Sequence, residues 1–313
     1  MTRALVATAY GRPPVFELIE VPVREPGAGQ VTVRVQAAAL NPYDLQTVAG
    51  GDPDKLPKRM ATELAGTVTA IGPEPIGVDG TALAIGDAVF GSVGPGAAAE
   101  EVTVKADRLL RRPESVGVDE AAGLIVIGGT AYHALEAVQV SAGDVVLVHG
   151  AAGSVGSIVA QLAIARGARV IGTAAERHHD RLRGYGVEPV IYGDGLADRV
   201  RALAPDGVDA AIDTVGTPEA LAVSLELLAD PHRLVSIANF TDVLEAGGQA
   251  IGGGPGADPG TELRAASRQV LADELAAGRL HVPVAATFAL DDAADAYALL
   301  ASGHAGGKIL LHP

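Results

Sequence analysis

Hydrophobic and polar residues change rhythm along the chain. From Met1 to about Glu120 the apolar runs are short. Val31-Thr32-Val33-Arg34-Val35 alternates with the period of two expected of a half-buried strand. Gly66-Thr67-Val68-Thr69-Ala70-Ile71-Gly72 and Asp87-Ala88-Val89-Phe90-Gly91 are brief runs closed by glycine. Prolines recur here, among them Pro13, Pro14, Pro42, Pro57 and Pro75, which predicts a small irregular barrel without long helices.

From about Ala121 to Ala277 the pattern becomes an alternation of strand and helix. Val145-Val146-Leu147-Val148 is an unbroken run, as expected of a strand buried on both faces. A helix follows, in which Val155, Val159, Leu162 and Arg166 are spaced four, three and four apart. Further strands are expected at Arg169–Gly172, Val190–Tyr192, Val208–Ile212 and Leu234–Ile237, with helices near His179–Tyr185, Leu196–Leu203 and Pro218–Leu228. Such a series of βα units predicts an α/β fold with a doubly wound parallel sheet, its ligands at the C-terminal strand ends. Ala246 to Gly260 holds seven glycines and reads as a lid or a loose connection. A helix near Thr261–Ala277 precedes a tail of β texture, with Val282-Pro283-Val284, a short helix at Asp291–Ser302 and a strand at Lys308–Leu311. The tail resembles the first region, so a discontinuous domain is expected: 1–120 rejoined by 280–313, around an insert at 121–279.

Composition narrows the chemistry. With no cysteine in 313 residues, the chain has no disulfide, no thiolate zinc site, no iron–sulfur ligand and no cysteine nucleophile. A formal charge of −15 disfavours nucleic acid and anionic membrane as partners, because both need a basic face. The N-terminal apolar stretch is too short for a signal-peptide core, and Val145 to Ala165 carries His149, Ser154, Ser157 and Gln161 within its apolar run. A cytoplasmic protein is expected.

Against that acidic background one stretch stands out. In Val148-His149-Gly150-Ala151-Ala152-Gly153-Ser154-Val155-Gly156 a buried strand gives way to a helix. Gly150 permits the turn, Gly153 lets backbone approach a pyrophosphate, and Gly156 lets helix and strand pack closely. The helix start, at Ser154 and Val155, supplies N–H groups to the anion. A turn kept only for packing is the bland alternative. The second strand ends Ile171-Gly172-Thr173-Ala174, small residues where an NAD-type site carries an acid; Arg177, His178, His179, Arg181 and Arg183 follow. That patch suits a 2′-phosphate and points to NADPH. The alternative is a solvated helix start with Arg177 and Arg181 merely four apart.

The chain resembles the zinc-independent quinone oxidoreductases of the medium-chain dehydrogenase/reductase superfamily. The matching stretches are Ala39-Leu40-Asn41-Pro42-Tyr43-Asp44, Glu63-Leu64-Ala65-Gly66-Thr67-Val68, Gly86–Gly91, Gly128-Gly129-Thr130-Ala131-Tyr132, the fingerprint at Gly150–Gly156, Asp213-Thr214-Val215-Gly216 and Gly306-Gly307-Lys308-Ile309. The resemblance implies a GroES-like β-barrel catalytic domain interrupted by a Rossmann NADP-binding domain, a homodimer, and hydride transfer from NADPH to a quinone or enone. It also implies cofactor contacts at Thr173, at one of Arg177, His178 and His179, and at Tyr192, Val215, Ala238 and Asn239. Zinc-dependent relatives carry a cysteine near position 40 and a His-Glu pair near 62 and 63; this chain has Leu40 and Thr62-Glu63. No metal site is expected.

Without a metal, the developing enolate or phenolate requires hydrogen-bond donors. Asn41 and Tyr43 are the candidates, with Thr130 on the nicotinamide side. Their bland readings are a turn former before Pro42, an apolar wall with a polar tip, and an Asp44 that only caps a helix. His133 and His149 read as structural. With aromatics at 3%, a small enone is as credible a substrate as a polycyclic quinone, so an enoyl or alkenal double-bond reductase stands as the alternative. A non-catalytic NADPH-binding sensor is a second one. No tyrosine has a lysine four residues on, which excludes a short-chain dehydrogenase.

Overall fold

The alternating runs of the first third become strands whose inward positions share one apolar core. The structure, a computed structural model, describes all residues from Met1 to Pro313. Its strands here are β1 (Thr2–Ala9), β2 (Val15–Val21), β3 (Gln30–Ala39), β4 (Lys58–Arg59), β5 (Glu63–Ile71), β6 (Ala88–Ser92), β7 (Glu101–Lys105) and β8 (Leu109–Arg111). Helix α1 (Pro42–Val48) sits between β3 and β4, with Pro42 at its first turn, where a missing N–H costs no bond. Val31, Val33, Val35, Leu64, Val68, Val89 and Leu109 pack with Ile309 and Leu311 from the far end of the chain.

The nucleotide-fold pattern follows. Helix α2 (Val118–Ala137) leads to β9 (Val145–His149), α3 (Ser154–Ala165), β10 (Arg169–Thr173), α4 (His179–Gly184), β11 (Glu188–Val190) and α5 (Leu196–Leu203). Next come β12 (Ala210–Asp213), α6 (Pro218–Leu227), β13 (Leu234–Ser236), α7 (Phe240–Glu245) and β14 (Gln249–Ala250). These six strands form one parallel sheet in the order β11-β10-β9-β12-β13-β14. The chain runs outward from β9 through β10 to β11, then resumes on the other side with β12. The ends of β9 and β12 therefore flank the topological switch point, where doubly wound sheets take their ligands. Leu147, Ile171, Ala211 and Leu234 form the sheet's buried centre with Val200, Val223 and Leu227 of the helices.

After α8 (Thr261–Ala276) come β15 (Val284–Ala289), α9 (Ala293–Ser302) and β16 (Lys308–His312). Strand β16 pairs with β3 in a sheet of order β15-β16-β3-β5-β6-β8, with β7 also on β3, while β2, β1 and β4 form a separate small sheet. The chain divides into two compact units. One is Met1–Val126 with Leu271–Ala276 and Val282–Pro313, and the other is Ile127–Val270 with Ala277–His281.

Two expectations change. The third strand of the parallel sheet ends at Val190 rather than running to Tyr192, and Ile191 and Tyr192 are exposed. Its Pro189 is tolerated because β11 is the edge strand. The glycine-rich segment is not a loose connection: Gln249-Ala250 adds a sixth parallel strand beside β13. Beyond it, Gly252 N–H donates to Asp258 O (2.8 Å) and Asp258 N–H to Ala250 O (2.9 Å), folding the segment back on itself. No helix is long and apolar enough to cross a membrane.

Candidate functional site

The turn after β9 is crowded in the way its glycines require. Gly150 takes φ +74°, and a Cβ on it would lie 2.5 Å from Val215 Cγ1 and 2.7 Å from Thr214 Oγ1. A Cβ on Gly156 would stand 2.3 Å from the carbonyl oxygen of Gly150, so no larger residue lets α3 approach this closely. Gly153 donates its N–H to Gly150 O (2.9 Å). Helix α3 then opens with Ser154, Val155 and Gly156, first-turn residues whose N–H groups have no carbonyl one turn earlier to bond.

Neighbouring strand ends hold this turn. Thr173, buried at the end of β10, accepts the Gly150 N–H on Oγ1 (3.0 Å), and its carbonyl accepts the Ala151 N–H (3.0 Å). Thr173, an expected cofactor contact, thus uses its hydroxyl to support the turn. Asp213, buried at the end of β12, carries no role in the sequence reading, yet it organises two loops. Its Oδ1 accepts the N–H groups of Val215 and Gly216 (both 2.9 Å), and its Oδ2 accepts Ser236 Oγ–H (2.7 Å). Ser236 Oγ in turn accepts the N–H groups of Ala238 (3.2 Å) and Asn239 (3.0 Å). Val215, Ala238 and Asn239 therefore gather with the glycine-rich turn at the C-terminal strand ends of the sheet. The Asn239 side chain caps α7, accepting from Asp242 N–H (3.2 Å).

His149 ends β9 in a fully buried position. Its Nε2 lies 3.0 Å from Ser224 Oγ, and that hydroxyl donates to Ala220 O (2.7 Å), so the imidazole is the donor to Ser224. Burial pushes its pKa down to about 4, which keeps the ring neutral.

The basic patch occupies the turn Glu176–His178 and α4. Arg177 is exposed, its side chain making no ion pair or hydrogen bond inside the chain. His178 has its pKa lowered by partial burial and by the charges of Arg181, Arg177 and His179. His179 bonds the carbonyl of Ala174 (3.1 Å), and Arg181 donates from Nη2 to Ala152 O (2.7 Å). Ala174 N–H donates to Val190 O (3.0 Å), which brings the end of β11, and with it exposed Tyr192, beside the patch.

In the other unit, β3 ends at Ala39 and the chain turns through Asn41 into α1. Asn41 is buried. Its Nδ2 donates to Glu63 Oε1 (2.9 Å), and its Oδ1 accepts from Lys308 Nζ (2.9 Å). Lys308 also donates to Glu63 Oε1 (2.9 Å) and Leu40 O (3.1 Å), and Glu63 Oε2 accepts the Val126 N–H (2.6 Å). The Asn41 amide thus faces an ion pair that the sequence did not reveal. Asn41, the candidate donor to substrate, thus has its amide oxygen and one amide N–H engaged within this loop. Asp44 is buried in the first turn of α1, where its Oδ2 accepts the Asn41 N–H (2.9 Å), with Tyr297 OH at 3.5 Å. Burial, outweighing the Asn41 hydrogen bond and the nearby Lys308 charge, raises its pKa to about 7. Tyr43 is different: 57% exposed, its hydroxyl makes no hydrogen bond within the chain.

Thr130 lies within α2, and Arg264 Nη1 donates to its hydroxyl (3.2 Å). Arg264 Nε also reaches His133 Nδ1 (3.4 Å), while His133 Nε2 meets Asp258 Oδ2 (3.2 Å), tying the glycine-rich segment to α2. At the positions where zinc-dependent relatives carry ligands, Leu40 is buried in the apolar core and Glu63 is paired with Lys308.

Comparison with known proteins agrees with this architecture. Residues 27–114 match the alcohol dehydrogenase GroES-like domain, and residues 185–311 match the zinc-binding dehydrogenase domain. The chain is similar to the mycocerosic acid synthase-like polyketide synthase of Mycolicibacterium smegmatis, 36% identical over 230 residues; the match covers 71% of this chain but only 11% of the synthase's length. Its fold superposes on a mycobacterial protein solved with NADPH, with a TM-score of 0.83 and 29% identity over the whole of both chains. The quinone oxidoreductase of Pseudomonas aeruginosa is 31% identical over 332 aligned positions, covering all of both chains. By that match, and by its GroES-like and Rossmann units, the chain belongs to the quinone oxidoreductase family of the medium-chain dehydrogenase/reductase superfamily.

Proposed function

We propose that this chain transfers hydride from NADPH to a quinone or related electrophilic carbonyl without zinc. The observation that carries the reading is the patch after β10. Exposed Arg177, with no side-chain partner in the chain, stands beside His178 at the strand end where NAD-type sites carry an acid. Such a patch in a chain of net charge −15 suits a 2′-phosphate. The glycine-rich turn fits the rest of a dinucleotide: its close-packed glycines lead into the start of α3, where N–H groups and the helix dipole favour a pyrophosphate. Gly150, Gly153, Ser154, Val155 and Gly156 would hold that group, with Val215, Ala238 and Asn239 on the adjoining strand ends and Tyr192 beside the adenosine phosphate.

A bound nicotinamide supplies the hydride. The chain's part is to orient the acceptor and to stabilise the oxygen on which charge develops. The exposed Tyr43 hydroxyl is suited to donate a hydrogen bond to that oxygen and then to pass it a proton, or to share that task with water. Asn41 holds the start of α1, where Tyr43 lies, through Glu63 and Lys308. Zinc has no place in this scheme although the C-terminal family model takes its description from zinc binding. The chain has no cysteine, Leu40 and Thr62 offer no ligand, and Glu63 is committed to Lys308.

A second reading, reduction of an enone carbon–carbon double bond, is favoured by the 3% aromatic content, which gives little stacking surface for a polycyclic quinone. NADPH consumption across a panel of quinones and α,β-unsaturated carbonyls separates the two. Turnover of quinones supports the first reading, and turnover of enones alone replaces it with the second. Dinucleotide affinity without turnover on any acceptor would make the protein a sensor.

A further inference from the structure

Among the basic side chains between residues 177 and 183, Arg181 is bonded to the glycine-rich turn. Its Nη2 crosses from α4 to the carbonyl oxygen of Ala152 (2.7 Å), 29 residues earlier in the chain. The same peptide group is held from the other side, because Gly153 N–H donates to Gly150 O (2.9 Å). The peptide linking Ala152 to Gly153 is therefore fixed at both its carbonyl and its N–H. Its orientation sets the direction of the chain into Ser154 and Val155, the first N–H groups of α3. The other cations of the patch point elsewhere: His179 bonds Ala174 O, and Arg183 pairs with Asp180 on its own helix. The charge of Arg181 reaches His178, whose protonation it opposes.

We propose that Arg181 is a positioning residue for the dinucleotide site, fixing the Ala152–Gly153 peptide and setting a positive charge beside the turn. It thereby serves the pyrophosphate, the part common to NADH and NADPH, and leaves discrimination of the 2′-phosphate to Arg177 and His178. This rests on the reading that the turn receives a dinucleotide.

Calorimetric titration of the full chain with NADPH and with NADH tests it. Arg181→Ala weakens both by about tenfold, the scale of one lost hydrogen bond to a charged group, with the NADPH-to-NADH ratio unchanged. Arg181→Lys, which keeps the charge, recovers part of the loss. Unchanged affinity in Arg181→Ala, or a loss confined to NADPH, overturns the proposal. Should the alanine variant prove insoluble, Arg181→Gln serves instead. NADH affinity then falls less steeply with added salt than in the wild type, because one screened cation is gone; equal salt slopes, as from a merely loosened turn, overturn it. A wild-type protein that binds neither dinucleotide refutes the underlying reading instead.

Discussion

Lys308 Nζ stands 2.9 Å from Glu63 Oε1, with the lysine side chain 2% exposed and the glutamate wholly buried. Strand β16 thereby joins β5 across 245 residues of sequence, and the same ammonium bonds Asn41 Oδ1 and Leu40 O. All three of its protons have acceptors, which is what a buried ammonium needs. Removing one partner leaves a buried charge unpaired. Lys308→Met is therefore expected to cost about 3–5 kcal/mol, read by urea unfolding. Lys308→Met with Glu63→Gln is expected to lose less, because the glutamine amide carries no charge yet its oxygen still accepts a hydrogen bond from this loop. A double variant no more stable than Lys308→Met would count against a buried charge as the source of the loss.

Asp44 gives the fold an unusual pH dependence. Its pKa is raised by burial from 3.8 to about 7. The folded state thus holds a proton that the unfolded chain has released between those values. The stability this contributes is complete below about pH 4 and is lost as pH rises through 7. His149 acts in the opposite sense: its pKa is lowered from 6.5 to about 4, so it disfavours the fold as pH falls below 6.5. The difference between wild type and Asp44→Asn isolates the carboxyl. The amide variant is expected to gain melting temperature relative to wild type as pH rises from about 5 to about 8, and parallel curves would remove Asp44 from the account.

What is legible in the sequence follows from how local each requirement is. Strands β9, β10, β12 and β13 read clearly because strands buried on both faces write nearly continuous apolar runs. The turn at Gly150–Gly156 reads clearly because only glycine fits where a Cβ would strike Val215 or the Gly150 carbonyl. Helix α2 does not stand out, since Gly123, Gly128 and Gly129 interrupt it. The reason for one of them is tertiary: Gly123 makes room for the stem of Lys308, where a Cβ would meet Cγ at 3.1 Å. Strand β14 is two residues set among glycines, and pairing with β13 rather than propensity makes it a strand. The Lys308–Glu63 pair leaves one faint signal, the sole lysine after residue 105 heading the apolar run Ile309-Leu310-Leu311. Nothing local names its partner. The role of Asn41 is hidden for the same reason, because only the folded chain brings Lys308 to its amide.

Arg177 and His178 are expected to govern the choice between dinucleotides. Neither side chain bonds another residue of the chain, and His178 already feels three neighbouring basic side chains, the setting in which an anion is welcome. Arg177→Ala with His178→Ala is expected to weaken NADPH by about tenfold or more, the range of one or two charge-assisted bonds, while NADH changes little. Binding constants for both nucleotides check this. Equal loss for the two would place the phosphate elsewhere.

Tyr43 separates a chemical from a structural role with little ambiguity. It lies in the first turn of α1, where its neighbours Asn41 and Asp44 hold the backbone and its own hydroxyl bonds nothing in the chain. Tyr43→Phe removes that hydroxyl and keeps the ring, so neither folding nor dinucleotide affinity is expected to move. Turnover is expected to fall by about ten- to a hundredfold, within the range of losing a donor or proton source at a developing oxyanion. Solvent can replace part of the proton transfer at so exposed a position, which argues for the lower end. Steady-state rates with quinone and enone acceptors, alongside the dinucleotide binding constant, check the split. An unchanged rate would leave Tyr43 as a wall of the site and pass the proton to water.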